Sequence, residues 1–157
     1  MKKILITGAG GFIGGHLVAS LKKQNYEIVC CDIKPLKNWY QVFKKTTNFY
    51  SFDLNVYSNC IKVTKKVDYV FNLACNMGGM GFIENNKAEC MQSVLINTNL
   101  LIACKENEIK KYFFSSSACA YNKTKQQEVF IEGLKEDDAY PADPEDGYGW
   151  EKLFSER

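Results

Sequence analysis

The first fourteen residues combine an apolar strand, a glycine-rich turn and the start of a helix. After Lys2 and Lys3, a short apolar run rich in β-branched residues begins at Ile4 and stops at the glycine cluster that starts at Gly8, and from Phe12 onward the apolar residues recur at helical spacing. A continuous apolar run of this length is typical of a parallel strand covered on both faces. The chain therefore begins with a β-α unit, and this is the strongest constraint on its fold.

Three glycines mark the turn of this unit. Gly8, Gly11 and Gly14 lie three residues apart. At this spacing glycines allow a tight turn, let backbone N–H groups approach a pyrophosphate, and let the helix pack closely on the sheet. The positive end of the helix would then face the phosphates. A turn with no ligand is the alternative, but the strand–turn–helix context favours a dinucleotide site.

Two later strands are predicted to end in carboxylates. Asp32 closes the strand that begins at Glu27 and lies 18 residues after Gly14, close to the roughly 20 expected for the acid that binds the adenosine ribose. Because a carboxylate repels a 2′-phosphate, it favours NAD over NADP; a turn at the strand end is the alternative. Asp53, after the predicted strand Asn48 to Phe52, is predicted either to accept a hydrogen bond from adenine or to cap a helix.

Strand and helix patterns alternate along the rest of the chain. Further strands are predicted near residues 68–74 and 112–115 and helices near 56–65 and 89–105, with a glycine–methionine loop after residue 75 and a solvated loop at 136–145. Such alternation implies right-handed crossovers and an α/β, Rossmann-type doubly wound parallel sheet. Residues 1–157 are predicted to form one such domain, with ligands bound beyond the carboxyl ends of its strands.

Composition argues against several classes of function. The net charge is only +2 and the lysines are dispersed, so we expect no nucleic-acid partner. No apolar stretch approaches the ~20 residues of a membrane helix, and the N-terminus lacks a signal-peptide pattern, so we expect a cytoplasmic protein without a membrane partner. Seven cysteines without paired spacing predict buried thiols and no metal site. His16, the single histidine, is expected at the surface or in packing.

Tyr148 and Lys152 lie four residues apart in the last predicted helix, so their side chains share one face. A tyrosine hydroxyl, with a pKa near ~10, is a poor base at neutral pH. An adjacent ammonium group stabilises the phenolate and lowers that pKa. The pair predicts proton transfer to and from a secondary alcohol. A solvated helix face is the alternative for this common spacing, and the dinucleotide motif favours the catalytic interpretation. The run Ser115 to Ser117 offers hydroxyl groups to a substrate or forms a turn.

Together these motifs resemble the short-chain dehydrogenase/reductase superfamily, in its extended branch that modifies nucleotide sugars. Within that branch Asn76 to Ile83, Ser116 to Tyr121 and Leu134 to Ala142 are most similar to the GDP-mannose 3,5-epimerases. This resemblance implies transient NAD-dependent oxidation of a GDP-mannose-type nucleotide sugar at C4, followed by proton exchange at the flanking carbons. Another NAD-dependent nucleotide-sugar 4-epimerase or dehydratase is one alternative. A non-catalytic NAD-binding or subunit-interaction fragment is the other.

The resemblance also implies roles for individual residues. Tyr148 would be the base, Lys152 would hold the nicotinamide ribose, and Ser117 would orient the substrate hydroxyl. Cys119 would be an acid/base group, with a buried small side chain as the alternative. The implied substrate-binding residues are Gly78, Ser117, Ala118 and Cys119. The implied cofactor-binding residues are Gly8, Gly10, Gly11, Phe12, Ile13, Gly14, Asp32, Asp53, Leu54, Leu73, Ala74, Tyr148 and Lys152.

Members of this branch continue beyond the helix in which this sequence ends at Arg157. The resemblance therefore implies an N-terminal portion of the NAD-binding domain, incomplete at its C-terminus, without the substrate-binding lobe or the second acid/base group. A chain of this kind is expected to expose apolar surface and to form a homo-oligomer or pair with a complementing chain.

In the helix motif Ser93 to Asn99, Ser93 stands where the family usually has asparagine.

Overall fold

The five strands follow one another in the order that the sequence pattern predicts. The structure, a computed structural model, describes residues 1–43, 47–127, 130 and 133–157. The strands are β1 Lys2–Thr7, β2 Tyr26–Asp32, β3 Thr47–Ser51, β4 Tyr69–Asn72 and β5 Lys111–Phe114. The helices are α1 Phe12–Leu21, α2 Tyr57–Thr64, α3 Met80–Asn85, α4 Lys87–Glu106 and α5 Asp146–Glu156, with short 3₁₀ helices at Leu36–Asn38, Ala118–Ala120, Lys123–Gln126 and Glu136–Ala139.

The five strands form one parallel sheet in the order β3-β2-β1-β4-β5. Ile4 of β1 lies opposite Ile28 of β2 on one side and Tyr69 of β4 on the other. The chain runs outward from β1 through β2 to β3, then crosses back to β4, so the strand order reverses beside β1. This confirms the doubly wound parallel sheet, and the reversal is where such sheets bind ligands.

Both faces of the sheet are covered. Alternate strand residues enter two separate hydrophobic clusters: Cys31 belongs to the cluster that includes residues of α2 and α4, and Cys30 to the one that includes residues of α1. Leu5 and Ile6, neighbours on β1, are fully buried in different clusters. Burial on both faces explains why these strands read as continuous apolar runs rather than as alternating patterns.

Two segments expected to be loops contain helical turns. The glycine–methionine segment forms α3, because Ile83 becomes buried in a cluster with Cys90 and Tyr148 that compensates for its glycines. The acidic segment at 136–145 begins with the 3₁₀ helix Glu136–Ala139, in which Ala139 is buried against Leu153 of α5. In both cases contacts with distant residues override weak local propensity.

The chain divides into two compact units. The sheet unit comprises Met1–Cys75 and Ile96–Ser115, and the α5 unit comprises Asn76–Leu95 and Ser116–Arg157. Helix α4 contributes its first part to the α5 unit and its second part to the sheet unit. In the described part of the chain, no helix combines the length and the apolar character needed to cross a membrane.

Candidate functional site

The glycine turn of the sheet unit is shaped by close backbone contacts. Gly8 has a φ of +65°, and a Cβ atom on it would lie 2.6 Å from the carbonyl oxygen of Leu73 and 3.0 Å from the nitrogen of Ala74. A Cβ atom on Gly14 would lie 2.7 Å from the Cα atom of Ala9. Only glycine fits both positions. The start of the turn therefore lies against the segment that follows β4, and the start of α1 lies against the turn itself.

The N-terminus of α1 is left open by this arrangement. Its N-cap residue is Gly11, which has no side chain to cap the helix. The Gly11 N–H group donates to the carbonyl oxygen of Gly8 at 3.1 Å, and its carbonyl oxygen accepts from Gly15 at 2.9 Å. The first N–H groups of a helix have no intrahelical partner and carry its positive partial charge. Those donors fit a pyrophosphate. Phe12 and Ile13, the first residues of the helix, are exposed.

Asp32 anchors the glycine turn from the end of β2. Its Oδ2 atom accepts a hydrogen bond from the Gly10 nitrogen and its Oδ1 atom accepts one from the Lys34 nitrogen, both at 2.9 Å. Each oxygen has a second lone pair for a ribose hydroxyl. Trp39 is a neighbour that sequence reasoning missed: its buried ring would lie 2.8 Å from a Cβ atom on Gly10, and its Nε1 atom donates to the Lys34 carbonyl oxygen at 2.9 Å.

Asp53 does not cap a helix, so that alternative is wrong. The N-cap residue of α2 is Val56, and no side chain caps it. The Oδ1 atom of Asp53 instead accepts hydrogen bonds from the backbone and side-chain nitrogens of Asn55, each at 2.9 Å. Asp53 therefore shapes the turn after β3, and contact with adenine stays a prediction. Leu54 is buried in the core cluster of the sheet unit.

A buried polar network holds the segment that follows β4. Asn72 accepts a hydrogen bond from the Thr7 hydroxyl at 2.8 Å and one from the Ala74 nitrogen at 3.2 Å, both at Oδ1. Its Nδ2 atom donates to Oδ1 of Asn97 at 3.1 Å, which also accepts from the Tyr112 hydroxyl at 2.7 Å. Burial raises the pKa of Tyr112, so its hydroxyl stays protonated and can donate. The network links four elements of the sheet unit and fixes Leu73 and Ala74 against the glycine turn.

In the α5 unit, Tyr148 and Lys152 are both buried, at 8% and 3% exposure. The solvated-face alternative is therefore wrong. The Nζ atom of Lys152 lies 5.4 Å from the centre of the Tyr148 ring, and the Tyr148 hydroxyl donates to the Sδ atom of Met77 at 3.6 Å. This geometry places a positive charge beside the phenol, where it favours the phenolate form.

A cavity of about 140 Å³ brings the phenol and a thiol together in the α5 unit. Tyr148 and Cys119 both line it, and its remaining lining residues are Met80, Ile83, Glu84, Glu145 and Asp146. Cys119 is half-buried and its thiol is free. A phenol and a thiol on the wall of one partly polar cavity can each exchange a proton with a bound molecule.

The turn that carries Cys119 packs closely on α5. The Ser117 hydroxyl accepts a hydrogen bond from the Cys119 nitrogen at 3.2 Å, and the Cys119 carbonyl oxygen accepts from the Glu145 nitrogen at 3.0 Å. A Cβ atom on Gly149 would collide with that carbonyl oxygen, so Gly149, which sequence reasoning missed, permits the approach. Ala118 is exposed beside them.

The glycine–methionine segment is held from within the same unit. A Cβ atom on Gly78 would lie 2.7 Å from the Cβ atom of Phe82, so glycine lets the segment fold back on α3. The buried Ser93 hydroxyl, on α4, accepts a hydrogen bond from the Asn76 nitrogen at 2.9 Å. Ser93 therefore supports the segment in place of the asparagine that is usual in the family.

Glu151 is the residue of this unit that sequence reasoning missed most completely. It is fully buried on α5, and its Oε2 atom lies 3.7 Å from Nζ of Lys152. Burial raises the pKa of the Glu151 carboxyl, and the charge of Lys152 acts in the opposite direction. Its spacing of three residues from Tyr148 was the available signal.

The sequence profile of the NAD dependent epimerase/dehydratase family matches residues 4–157. The chain belongs to this family. It is 47% identical over 156 residues to GDP-mannose 3,5-epimerase 1 of Oryza sativa subsp. indica, covering 98% of this chain and 40% of that protein. It is 46% identical to the GDP-mannose 3,5-epimerase of Arabidopsis thaliana, covering 98% and 41%. The chain thus spans about 40% of the length of these relatives.

Solved structures with the same fold include nucleotide-sugar complexes. A UDP-N-acetylglucosamine 4-epimerase from Methanobrevibacter ruminantium M1, in complex with UDP-N-acetylmuramic acid, superposes with a TM-score of 0.80 and is 28% identical; the match covers 99% of this chain and 48% of that one. MoeE5 in complex with UDP-glucuronic acid and NAD gives a TM-score of 0.77 at 28% identity, covering 99% and 47%. The chain therefore has the fold of about half of these enzymes.

Proposed function

We propose that residues 1–157 are the N-terminal, NAD-binding part of a GDP-mannose 3,5-epimerase. The observation that carries this proposal is the cavity lined by both Tyr148 and Cys119. A 4-epimerase needs one proton-transfer group at a hydroxyl, whereas inversion at the neighbouring carbons needs a further acid/base group. The identity of 46–47% with plant GDP-mannose 3,5-epimerases supports the same choice.

The sheet unit would bind the cofactor. The open N-terminus of α1 would hold the pyrophosphate, and Asp32 would accept hydrogen bonds from the adenosine ribose, which favours NAD over NADP because a 2′-phosphate would be repelled. Leu73 and Ala74 would line the cofactor, and Asp53 with Leu54 would meet the adenine. When bound, NAD supplies the hydride acceptor and donor for the sugar carbon at C4.

The α5 unit would move the protons. Tyr148 would take the proton of the C4 hydroxyl as that carbon is oxidised and return it on reduction. Lys152 would favour the phenolate and hold the nicotinamide ribose, and Ser117 would orient the hydroxyl. Gly78 and Ala118 would contact the sugar nucleotide.

Cys119 would act on the carbons that flank C4. A ketone at C4 makes the adjacent C–H bonds acidic, and a thiol can take or return a proton there because its ordinary pKa of ~8.5 is close to neutrality. Inversion also needs an acid/base group on the opposite face of the sugar. We assign that group to the part of the full-length relatives that this chain does not cover.

Titration calorimetry tests the cofactor half of this proposal. We expect NAD to bind the chain and to bind better than NADP. Asp32→Asn should weaken NAD binding by about tenfold or more, since it removes charge-assisted hydrogen bonds. Asp68→Asn is the matched control, because it removes a carboxylate of the same unit that is paired with Lys110 instead. Equal affinities for the wild type and Asp32→Asn would contradict the assignment.

Proton exchange tests the catalytic half. In deuterium oxide with NAD, GDP-mannose should gain deuterium at the carbons flanking C4, and Cys119→Ser should abolish this gain while leaving NAD affinity unchanged. Cys75→Ser, at another half-buried thiol, should leave both unchanged. Turnover of UDP-sugars in place of GDP-mannose would instead support a 4-epimerase, which the UDP-sugar complexes of the solved relatives favour. NAD binding without any exchange would support a non-catalytic module.

We also propose that the α5 unit associates with another chain, either a second copy or a complementing chain. Trp150 and Phe154 are 48% and 64% exposed on α5, and Met91 and Leu95 are 43% and 48% exposed on α4. Apolar side chains this exposed favour association. Sedimentation should show a species larger than the monomer, and Phe154→Glu should dissociate it. The seven cysteines form no disulfide bond with one another, which supports a reducing, cytoplasmic location.

A further inference from the structure

Four polar side chains recur along one face of α5, at spacings of three, four and seven residues: Tyr148, Glu151, Lys152 and Ser155. Residues three apart on a helix are neighbours, so Glu151 lies beside Tyr148, and its Oε2 atom lies 3.7 Å from Nζ of Lys152. Lys152 is the neighbour whose charge opposes that of Glu151. The proposed reaction gives Tyr148, Lys152, Ser117 and Cys119 a role, but it leaves the buried carboxyl group of Glu151 without one.

The contacts of Glu151 are unusual for a purely structural residue. Within the part of the chain that the structure describes, its buried Oε2 atom accepts no hydrogen bond. Its Oε1 atom accepts a long one from the Ser155 hydroxyl at 3.4 Å. Burying a carboxylate is unfavourable unless an opposite charge compensates, and an apolar side chain of similar size would fill the same space at lower cost.

The charge that compensates is Lys152. Its Nζ atom lies 3.7 Å from Oε2 of Glu151, longer than a hydrogen bond but close enough for strong attraction in a buried site. The carboxylate can therefore hold the ammonium group without taking one of its N–H donors. Those donors stay directed at other acceptors, such as the hydroxyl groups of a bound ribose.

We propose that Glu151 is a positioning residue: its buried carboxylate holds the Lys152 ammonium group beside the Tyr148 ring and sets how strongly that ammonium favours the Tyr148 phenolate. The inference rests on the proposed function only in taking Tyr148 as the proton-transfer group. An ionised Glu151 offsets part of the positive potential of Lys152. The phenolate is then less favoured, and Tyr148 keeps its proton to a higher pH than Lys152 alone would allow.

The other ionisable groups of the α5 unit do not replace this effect. Among the described residues, Lys152 is the only cation that lowers the pKa of Glu151. On α4, burial and the charge of Glu151 raise the pKa of Cys90, so that thiol stays neutral, and Lys87 is paired with Asp146 at 3.0 Å. The other ionisable groups on the elements around α5 include Glu84 of α3, Glu89 of α4, Glu145 before α5 and Cys119 of the turn. The 3₁₀ helix that packs Ala139 against Leu153 adds Glu136, Asp137 and Asp138, of which Asp138 is paired with Lys125 at 2.8 Å, and Tyr121 lies in the same cluster.

The test is the titration of Tyr148 itself, which needs no catalysis. In the full chain labelled at the tyrosine ring carbons, and with Tyr148→Phe to assign the resonance, nuclear magnetic resonance gives its pH midpoint. Glu151→Gln removes the negative charge and keeps the shape, so the midpoint should fall by about one pH unit. Glu89→Gln, which removes an exposed carboxylate of the same unit, should leave it unchanged, and Glu151→Asp, which keeps the charge, should restore most of the wild-type value.

A midpoint that is the same in Glu151→Gln and the wild type, or higher in the variant, would overturn the inference. The wild-type chain gives a second test that holds even if Glu151→Gln does not fold. Its Tyr148 resonance should shift in two pH steps, the lower one coinciding with titration of the Glu151 carboxyl carbon, and a single step would overturn the inference. A shifted midpoint in a chain that binds no NAD would refute the proposed function while supporting this role of Glu151.

Discussion

Adjacent glycines at the start of α1 should respond to alanine in opposite directions. A Cβ atom on Gly14 would lie 2.7 Å from the Cα atom of Ala9, which belongs to rigid backbone. A Cβ atom on Gly15 would lie 3.4 Å from the Cδ1 atom of Tyr40 and 3.5 Å from the Cβ atom of Gln41, which are ordinary contacts with side chains. Both glycines lie within the same helix, so Gly15→Ala is a matched control for Gly14→Ala.

Both substitutions gain the helix propensity of alanine, but only Gly14→Ala places a methyl group against packed backbone. Replacing glycine by alanine inside a helix stabilises it by about 1 kcal/mol. Forcing a methyl group into packed backbone costs about 1–3 kcal/mol. Gly15→Ala should therefore raise the free energy of unfolding by about 1 kcal/mol, and Gly14→Ala should lower it by up to about 2 kcal/mol. Because the propensity term cancels, the difference between the two variants measures the steric cost of approaching Ala9.

Thermal and urea unfolding give this difference directly. For a chain of this size 1 kcal/mol corresponds to about 2–4 °C in Tm, so Gly15→Ala should melt above the wild type and Gly14→Ala below it. Gly14→Ala should also bind NAD about tenfold more weakly, since it displaces the helix N-terminus proposed to hold the pyrophosphate. Equal melting temperatures for the two variants would refute the claim that α1 packs against the turn after β1 through Gly14.

Three further substitutions in the sheet unit test other contacts. Gly8→Ala should destabilise the chain by about 1 kcal/mol or more in urea unfolding, because Gly8 has a φ of +65°; an unchanged midpoint would contradict that conformation. Tyr112→Phe should lose about 1–2 kcal/mol, since it removes the buried donor to Asn97 at 2.7 Å, and full stability would mean that the network does not support the fold. The hydrogen bond from Lys110 holds the pKa of Asp68 below its ordinary 3.8, so this pair stabilises the fold above that pH and the stabilisation is lost as pH falls through the lower, folded-state pKa. On acidification below about pH 4, Asp68→Asn should therefore lose less stability than the wild type. Circular dichroism measures the acid unfolding of both chains, and acid-unfolding curves that run parallel would contradict the pairing.

Local patterns were sufficient for most of the fold. The strands and the alternation of elements were predicted because parallel strands buried on both faces leave continuous apolar runs, as around Leu5 and Ile6. The α3 helix was missed because its residues have little helical preference of their own. Ile83 becomes buried there in a cluster with Cys90, seven residues further along the chain, and with Tyr148, which is distant in sequence.

In the candidate site, too, some features follow from the local sequence and others depend on tertiary packing. Helical geometry alone places Tyr148 and Lys152 on one face, and the spacing of Gly8, Gly11 and Gly14 alone predicts the glycine turn. Nothing local places Cys119 on the wall of the cavity that Tyr148 lines, since that depends on the packing of its turn against Gly149.

The sequence by itself therefore determined the glycine turn, the strand ends and the spacing of the proton-transfer pair, because each depends on residues within a few positions of one another. The tertiary structure decided which side chains are buried and which charges meet. Asn97 joins Asn72 and Tyr112 only across the core of the sheet unit, and Glu151 loses its water only when α5 packs within its own unit. Burial and charge pairing arise from the surroundings on all sides, and a linear sequence specifies those surroundings only through the fold.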